Sequence, residues 1–323
     1  MQWATRAISY LSGAKPTCGR PHRNTVRVSA PLKPPPFEYH APFTVVEALR
    51  ILETHSNARI LAGGQSLMPM LNMRIASPDH LVDINRIAGL TGIREEGAWV
   101  TIGSMTRQRE IEFSPLVRAR LPLLAEAITW VGHRQTRNRG TIGGSLCHLD
   151  PSAEQPTVAM ALDAVVEIAG PRGQREMSMR DFAVDVMTSA LAPTEILTAV
   201  RMNAWSARHG WAFLEFARRH GDFAIVSVAV LVELDGQQRI SRLSLTLGGV
   251  CRTPFRLRAS EQALTGMQGD GIDLAPARRE CDGLDAMSDP QVPAWYRRRV
   301  AFTLLTRAIP VAIERARRGW NPR

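Results

Sequence analysis

The decisive stretch of this chain is Ile60-Leu61-Ala62-Gly63-Gly64-Gln65-Ser66-Leu67, and its counterpart is Thr141-Ile142-Gly143-Gly144-Ser145-Leu146. Each has a short apolar approach, two adjacent glycines, a small polar residue or two, and an apolar continuation. Adjacent glycines allow positive φ and a close approach to a ligand, because no Cβ stands in the way. Successive N–H groups in such a turn attract anions, and the serine hydroxyls add donors. Two such loops predict a cradle for a diphosphate.

Neither segment matches a G-x-G-x-x-G fingerprint or a G-K-[ST] phosphate loop. Taken alone, each diglycine is equally compatible with a tight turn between a strand and a helix, as Gly248-Gly249 illustrates. The surroundings of the second segment favour a ligand. Three arginines precede it and could offset phosphate charge, although they could also form a solvated face. Asp150 and Glu154 follow it and could bind a ribose or ribityl hydroxyl, or cap the next helix. The arginines are Arg134, Arg137 and Arg139.

The formal net charge of +10 comes from the two ends of the chain. Residues 1–36 carry six Lys or Arg and no acid, and residues 297–323 carry eight against the single Glu314. The remainder holds 26 basic and 29 acidic residues, so its body offers no basic face. This distribution argues against nucleic-acid binding. The sequence contains no run of about 18 apolar residues, so it predicts no membrane span.

Cysteine and histidine spacing predicts no metal site built from this chain alone. The four cysteines form no C-x-x-C pair, and none of the eight histidines stands in H-x-x-x-H spacing. Most histidines are therefore expected to be ordinary surface or core groups. The cysteine usage indicates a reducing compartment, which we take as the cytoplasm.

Strand and helix patterns alternate irregularly along the chain, which predicts the α+β class. Thr44-Val45-Val46-Glu47 is a capping box and predicts a helix start. A long amphipathic helix is expected over Trp295–Arg317, with a kink or break at Pro310. The expected organisation is a disordered extension over 1–33, a first folded domain over 34–208 with subdomains of about 34–92 and 93–208, and a C-terminal α+β domain over 209–323.

The glycine segments also carry a resemblance to a known family. Together with Pro69 and Asp150-Pro151 they resemble the FAD-binding medium subunit of molybdenum hydroxylases, the carbon monoxide dehydrogenase type, which is related to the flavin domain of xanthine dehydrogenase. The similarity runs from about Pro34 to near Ala312. It includes Arg219-His220-Gly221-Asp222-Phe223-Ala224, Gly248-Gly249 and Tyr296-Arg297.

The resemblance implies that residues 34–208 form an FAD-binding domain, with a two-subdomain fold of the vanillyl-alcohol-oxidase/PCMH type. It also implies that the C-terminal α+β domain contains a small antiparallel sheet. It implies that Ile60–Leu67 and Thr141–Ser145 wrap the diphosphate and that Glu154 meets a sugar hydroxyl. Val131 and Leu197 would line the cofactor, and His148 would lie close to the isoalloxazine. One departure stands out: Ala217 or a neighbour occupies a place where the family often has Lys, and Arg218 could substitute for it.

In such complexes a large subunit holds the molybdenum cofactor, a small subunit carries two [2Fe–2S] clusters, and the flavin subunit passes electrons to an external acceptor. The resemblance therefore implies an oxidoreductase subunit with no acid–base catalytic residue of its own. Two alternatives remain open: a stand-alone FAD-dependent oxidoreductase, and a non-catalytic assembly protein that has lost FAD. The intact glycines argue against the second alternative. The substrate pocket would lie in another chain.

Overall fold

The computed structural model of the protein describes residues 33–319, so all but the last residue of the extension expected over 1–33 lies outside the described residues. The strands are β1 (Glu38–His40), β2 (Ala58–Leu61), β3 (His80–Asp83), β4 (Ile93–Glu96), β5 (Trp99–Gly103), β6 (Val165–Gly170), β7 (Gly173–Ser178), β8 (Ala183–Asp185), β9 (Thr188–Ser189), β10 (Ile196–Asn203), β11 (Gly210–Phe216), β12 (Val226–Leu234), β13 (Ile240–Gly248) and β14 (Phe255–Arg256). The α-helices are α1 (Val45–Thr54), α2 (Leu67–Asn72), α3 (Gln108–Phe113), α4 (Pro115–Arg120), α5 (Pro122–Ala127), α6 (Arg134–Arg139), α7 (Ile142–His148), α8 (Glu154–Ala161), α9 (Met179–Phe182), α10 (Arg258–Leu264), α11 (Ala275–Asp282) and α12 (Ala294–Arg318). Short 3-10 turns lie at Ala88–Leu90 and Ile128–Trp130.

The first sheet is small and parallel, in the order β1-β3-β2. Helix α1 covers it, and its own core includes Ala48, Leu52 and Val82. The predicted capping box is confirmed, because the Glu47 amide donates to Thr44 Oγ1 at 3.1 Å and the Thr44 amide donates to Glu47 Oε2 at 3.3 Å. In a parallel sheet all carboxyl ends lie at one edge, so the segment after β2 and the segment after β3 emerge side by side.

The second sheet is antiparallel, in the order β4-β5-β10-β6-β7. Helices α4, α5, α7 and α8 contribute buried side chains to the largest hydrophobic cluster of the described residues, which includes Ile102, Leu124, Ile142, Val158 and Val200. This packing fixes α7, and with it the second diglycine, against the start of β10 and the end of β5.

The third sheet is antiparallel, in the order β11-β12-β13-β14, and the long helix α12 packs on β11 and β12. This sheet and its helices confirm the expected small antiparallel sheet of an α+β C-terminal region. The predicted break at Pro310 is wrong: α12 runs through it. Pro310 is exposed while Ile309 and Ala312 are buried, so the carbonyl that its ring leaves unpaired stands on the solvent side of the helix.

Two polar links, one partly buried and one around a buried arginine, hold the third sheet in place. Glu126 of α5 accepts hydrogen bonds from Trp211 Nε1 at 2.8 Å and from Arg315 of α12. Arg297 of α12 donates to the carbonyls of Ile225 and Gly249, both at 2.7 Å. The expected domain boundary at residue 208 stays a prediction. In residues 33–319, no helix combines the length and the apolar composition that a bilayer crossing requires.

Candidate functional site

The first diglycine segment is an open turn between β2 and α2. Gly64 has a φ of +73°, which an L side chain rarely adopts, so glycine is required there. Among residues 33–319, none accepts a hydrogen bond from the backbone N–H of Gly63, Gly64, Gln65 or Ser66. Gly63 is buried, whereas Gln65 and Ser66 are exposed. Four successive donors are thus left for a ligand at the carboxyl edge of the parallel sheet.

The second diglycine is not the loop that the sequence pattern predicts. Thr141 caps α7, and Gly143 and Gly144 form its first turn without positive φ. Their N–H groups are already engaged: Gly143 donates to Ser104 O at 2.8 Å and Gly144 to Thr141 Oγ1 at 3.0 Å. The prediction of positive φ and free donors in both segments is therefore wrong for this one. Its glycines serve close packing, since a Cβ on Gly143 would lie 2.6 Å from Ser104 Cβ.

The two segments nevertheless meet in space. A Cβ on Gly63 would lie 2.2 Å from the carbonyl oxygen of Arg139, immediately before the second segment. A Cβ on Gly144 would lie 3.7 Å from Ala62 Cβ. The chain therefore places the free donors of the first turn directly against the residues that lead into α7.

We call the place where residues 60–67 meet residues 139–146 the glycine junction. Two residues that the sequence analysis missed support this junction. Asn85 Nδ2 donates to the Ala62 carbonyl at 2.9 Å. Arg107 donates to Asn85 Oδ1 at 2.5 Å and to the Arg139 carbonyl at 2.6 Å. Asn85 follows β3 at the carboxyl edge of the sheet, and that position was the one available signal, because ligands of open α/β sheets bind at this edge. Nothing in the local sequence around Arg107 marks its role.

The three arginines before α7 divide between two roles. Arg137 pairs with Glu112 at 2.9 Å and donates to the Val131 carbonyl at 3.0 Å, so it is committed to the interior. Arg134 and Arg139 are exposed. These two arginines thus lie on a solvated face, as one of the two alternatives expects. That they offset the charge of a phosphate stays a prediction.

Two carboxyl groups that interact electrostatically, one on α8 and one on β11, have raised pKa values. Glu154, the first residue of α8, is 8% exposed, and burial raises its pKa to about 7. Burial raises the pKa of Glu215 on β11 to about 8, and the nearby Glu154 charge adds to the shift. In residues 33–319, Glu215 Oε2 and both polar side-chain atoms of Gln155 are buried without a hydrogen-bond partner. Such atoms call for a polar partner, since an unpaired buried group costs about 1–3 kcal/mol.

The remaining predicted residues differ in exposure. His148 ends α7 half-buried, and burial lowers its pKa while Asp150 opposes that shift. Val131 is 8% and Leu197 3% exposed, and both belong to the core of the second sheet. The side chain of Asp150 accepts from the Ser152 amide at 2.9 Å, which is a local turn rather than a cap on α8. The predicted cofactor contacts of all these residues stay predictions.

Comparison with known proteins identifies the family of this chain. Residues 35–205 match the family "FAD binding domain in molybdopterin dehydrogenase", and residues 211–311 match "CO dehydrogenase flavoprotein C-terminal domain". The chain is 40% identical to the 6-hydroxypseudooxynicotine dehydrogenase complex subunit alpha of Paenarthrobacter nicotinovorans, over 88% of this chain and 97% of that protein. It is 39% identical to the caffeine dehydrogenase subunit beta of a Pseudomonas species, over 88% and 97%.

Solved structures give the same result. The medium-chain fold in carbon monoxide dehydrogenase from Hydrogenophaga pseudoflava superimposes with a TM-score of 0.83 at 38% identity, over 87% of this chain and 99% of that one. The fold, the family matches and the relatives thus define an FAD-binding subunit of an oxidoreductase. The chain belongs to the family of FAD subunits of molybdenum hydroxylases, to which the carbon monoxide dehydrogenase medium chains also belong.

Proposed function

We propose that this chain binds FAD across the glycine junction and passes electrons from the iron–sulfur clusters of a partner subunit to an external acceptor. The observation that carries the proposal is the row of four backbone donors, Gly63 to Ser66, that have no acceptor within residues 33–319. A diphosphate would satisfy them with charge-assisted bonds, each worth about 1.5–3 kcal/mol.

The second segment would contribute shape rather than backbone donors. Thr141 and the glycines of α7 allow the helix to lie against Ser104 and Ala62, which keeps side chains away from the diphosphate. The hydroxyls of Ser66 and Ser145 remain candidate donors to the phosphates. The first glycine turn and the residues that lead into α7 would form the two walls of the site. Arg107 and Asn85 hold these walls at a fixed separation.

The buried carboxyl groups fit the sugar part of the cofactor. At neutral pH, burial favours the protonated form of Glu215 and leaves Glu154 near the midpoint of its titration. A protonated carboxyl can donate to a hydroxyl oxygen as well as accept from a hydroxyl proton. Ribityl or ribose hydroxyls would therefore pair with the buried Glu215 Oε2. Bound FAD supplies the electron-transfer chemistry, and the protein supplies position and electrostatics.

The partners we propose are a molybdopterin-binding large subunit and a small subunit with two [2Fe–2S] clusters, in a heterotrimeric unit. The relatives support this, since one is named as a subunit of a dehydrogenase complex and others as medium chains. The cytoplasm is the compartment we propose, because Cys147, Cys251 and Cys281 are free thiols, as is usual in reducing surroundings.

The test of flavin binding compares two glycine variants of the purified protein. Gly64→Val places a β-branched residue at a φ of +73°, with its Cβ 3.1 Å from Met68 Cγ. Gly89→Val is the matched control, since a Cβ there meets no atom within 4 Å. We expect a yellow wild type and control, and a folded Gly64→Val protein with at least tenfold less FAD. A colourless wild type that takes up no FAD on titration would defeat the proposal.

The test of the partners is purification of the tagged chain from its native host. We expect two further chains, together with molybdenum and iron, to co-purify in fixed ratio with the flavin. A flavin-loaded chain that purifies alone, without molybdenum, and oxidises a substrate by itself would favour the stand-alone oxidoreductase instead.

A further inference from the structure

Three histidines that are far apart in the sequence meet on the first sheet. His40, His55 and His80 each offer a ring nitrogen, and these three atoms lie within 4.8 Å of one another. His40 Nε2 and His80 Nδ1 are 3.1 Å apart, and the ring centroids of His55 and His80 are 4.1 Å apart. All three side chains are partly buried. The sequence analysis, which expects most histidines to be ordinary surface or core groups, did not predict that these three meet.

The topology explains why they converge. Strands β1 and β3 are parallel and pair Glu38 with His80, so Glu38, His40 and His80 share one face of the sheet. Helix α1 ends over this sheet, and His55 is its C-terminal cap, with its amide donating to the Ile51 carbonyl at 3.0 Å. A strand end, a strand start and a helix end therefore point their imidazoles into one place.

A carboxylate completes the group. Glu38 Oε1 lies 3.8 Å from His40 Nε2, and Glu38 Oε2 lies 3.6 Å from His80 Nδ1. In a tetrahedral zinc site with Zn–N distances of about 2.0–2.1 Å, neighbouring ligand atoms stand roughly 3.3 Å apart. The spacings of His40, His80 and Glu38 are close to that value, and small rotations of the His55 ring would bring its nitrogen into the same shell.

We propose that His40, His55 and His80, together with Glu38, bind one zinc ion. Three imidazoles and a carboxylate are a ligand set that suits zinc, whereas hard cations such as Mg²⁺ and Ca²⁺ prefer sites built from oxygen atoms alone. The site is separate from the glycine junction, since His80 begins β3 and Asp83 ends it, roughly 10 Å further along the strand.

The ion would act as a clamp on the sheet that carries the first diglycine turn. It would join β1 and the start of β3, which already pair as parallel strands, to the C-terminal end of α1. Further along β3, Tyr39 donates to Asp83 Oδ2 at 2.5 Å. The Asn85 side chain, which follows β3, donates to the Ala62 carbonyl. Binding to the folded state alone would raise the thermal midpoint in proportion to the logarithm of zinc concentration.

The test is zinc titration of the full-length, flavin-containing protein after chelator treatment, followed by calorimetry and thermal melting. We expect one equivalent of zinc to bind and to raise the melting temperature, and neither Mg²⁺ nor Ca²⁺ to do so. His55→Asn should weaken zinc binding at least tenfold, because it removes one of four ligands at the exposed end of a helix. His220→Asn, a change of an exposed histidine outside the cluster, should bind zinc like the wild type.

Two results would overturn the proposal. One is the absence of a zinc-dependent heat or melting shift in the wild type. The other is unchanged stoichiometry and affinity in His55→Asn, which would place the metal elsewhere. X-ray absorption at the zinc edge of the wild type gives an answer that does not depend on any variant folding. Three imidazole nitrogens and one oxygen would support the site, and sulfur ligands would exclude it. FAD content measured in the same samples separates this result from the proposed function.

Discussion

Gly63 lies directly against the carbonyl oxygen of Arg139, and an ideal Cβ on Gly63 would stand 2.2 Å from that oxygen. Backbone thus meets backbone at the point where the two glycine segments join. Real Cβ contacts do not reach such distances, and a main-chain carbonyl held by Arg107 cannot swing aside as a flexible side chain can. One added methyl group must therefore push the two walls of the proposed FAD site apart.

We expect Gly63→Ala to lower the FAD content of the purified protein at least tenfold, measured by absorbance of released flavin per chain. Gly89→Ala is the matched control, since a Cβ there meets no atom within 4 Å and should leave flavin content unchanged. Circular dichroism should show both variants folded. A Gly63→Ala protein that keeps its full flavin would mean that the separation of the walls does not determine binding.

Local patterns in the sequence predict the elements around the first glycine turn well. The capping box at Thr44 predicts the start of α1, and the apolar run over residues 59–62 predicts the strand before Gly63. Residues 67–74 predict a helical turn or two, and α2 lies there. The helical second diglycine was missed although Thr141 is a good N-cap residue, because adjacent glycines are poor helix formers and favour a loop assignment. Burial of Ile142 and Leu146 overrides that preference.

Contacts between distant segments are the part that the sequence could not reveal. The hydrogen-bond partners of Arg107 and Asn85 at the junction lie 22 or more residues away along the chain. The raised pKa of Glu215 comes mainly from burial. The histidine cluster shows the same limit, since residues 40 and 80 meet only through parallel strand pairing. Spacing rules detect ligands that share one helix or one hairpin, and this cluster shares neither.

The buried carboxyl groups predict a pH dependence of stability in the FAD-free protein. In the unfolded chain Glu154 and Glu215 lose their protons near pH 4.5, but in the folded protein they hold them to about pH 7 and 8. Between these values the unfolded state binds fewer protons, so the free energy of unfolding falls as the pH rises. We expect the melting temperature of apoprotein to drop progressively from about pH 5 to about pH 8, and these two groups to add no further decline above that range.

Glu215→Gln should flatten that decline, because the amide carries no titrating proton. Glu53→Gln, a change at an exposed position on α1, should leave the slope unchanged and serves as the control. The comparison requires melting curves of all three proteins at several pH values and one ionic strength. If Glu215→Gln declines as steeply as the control, the carboxyl group at residue 215 is not protonated in the folded protein.

Removal of residues 2–32 should leave FAD content unchanged. The residues that we assign to the FAD site all lie between Ile60 and Glu215, and both family matches begin at residue 35 or later. Flavin per chain and the melting temperature of the truncated protein, compared with those of the full-length protein, provide the measurement. Loss of flavin on truncation would assign the first 32 residues a part in the site.

Substitution of Arg297 on α12 should lower the stability of the protein substantially. Its guanidinium is buried and donates to the Ile225 and Gly249 carbonyls and, at 2.6 Å, to Asp289 Oδ2. Lysine presents a single point donor and cannot reproduce this planar fork. We expect Arg297→Lys to lower the free energy of unfolding by about 2–4 kcal/mol, since hydrogen bonds to charged groups contribute about 1.5–3 kcal/mol each.

The matched control is Arg299→Lys, because Arg299 is exposed on the same helix and should change stability by no more than about 0.5 kcal/mol. Urea denaturation of both variants gives the comparison. We expect Arg297→Lys to lower the FAD content of the purified protein only slightly, whereas it lowers the free energy of unfolding clearly. The Gly249 amide donates to the Pro151 carbonyl at 2.7 Å, so the turn that Arg297 holds also braces the segment leading into Glu154. Equal stability of the two variants would show that water replaces the lost guanidinium contacts at no net cost.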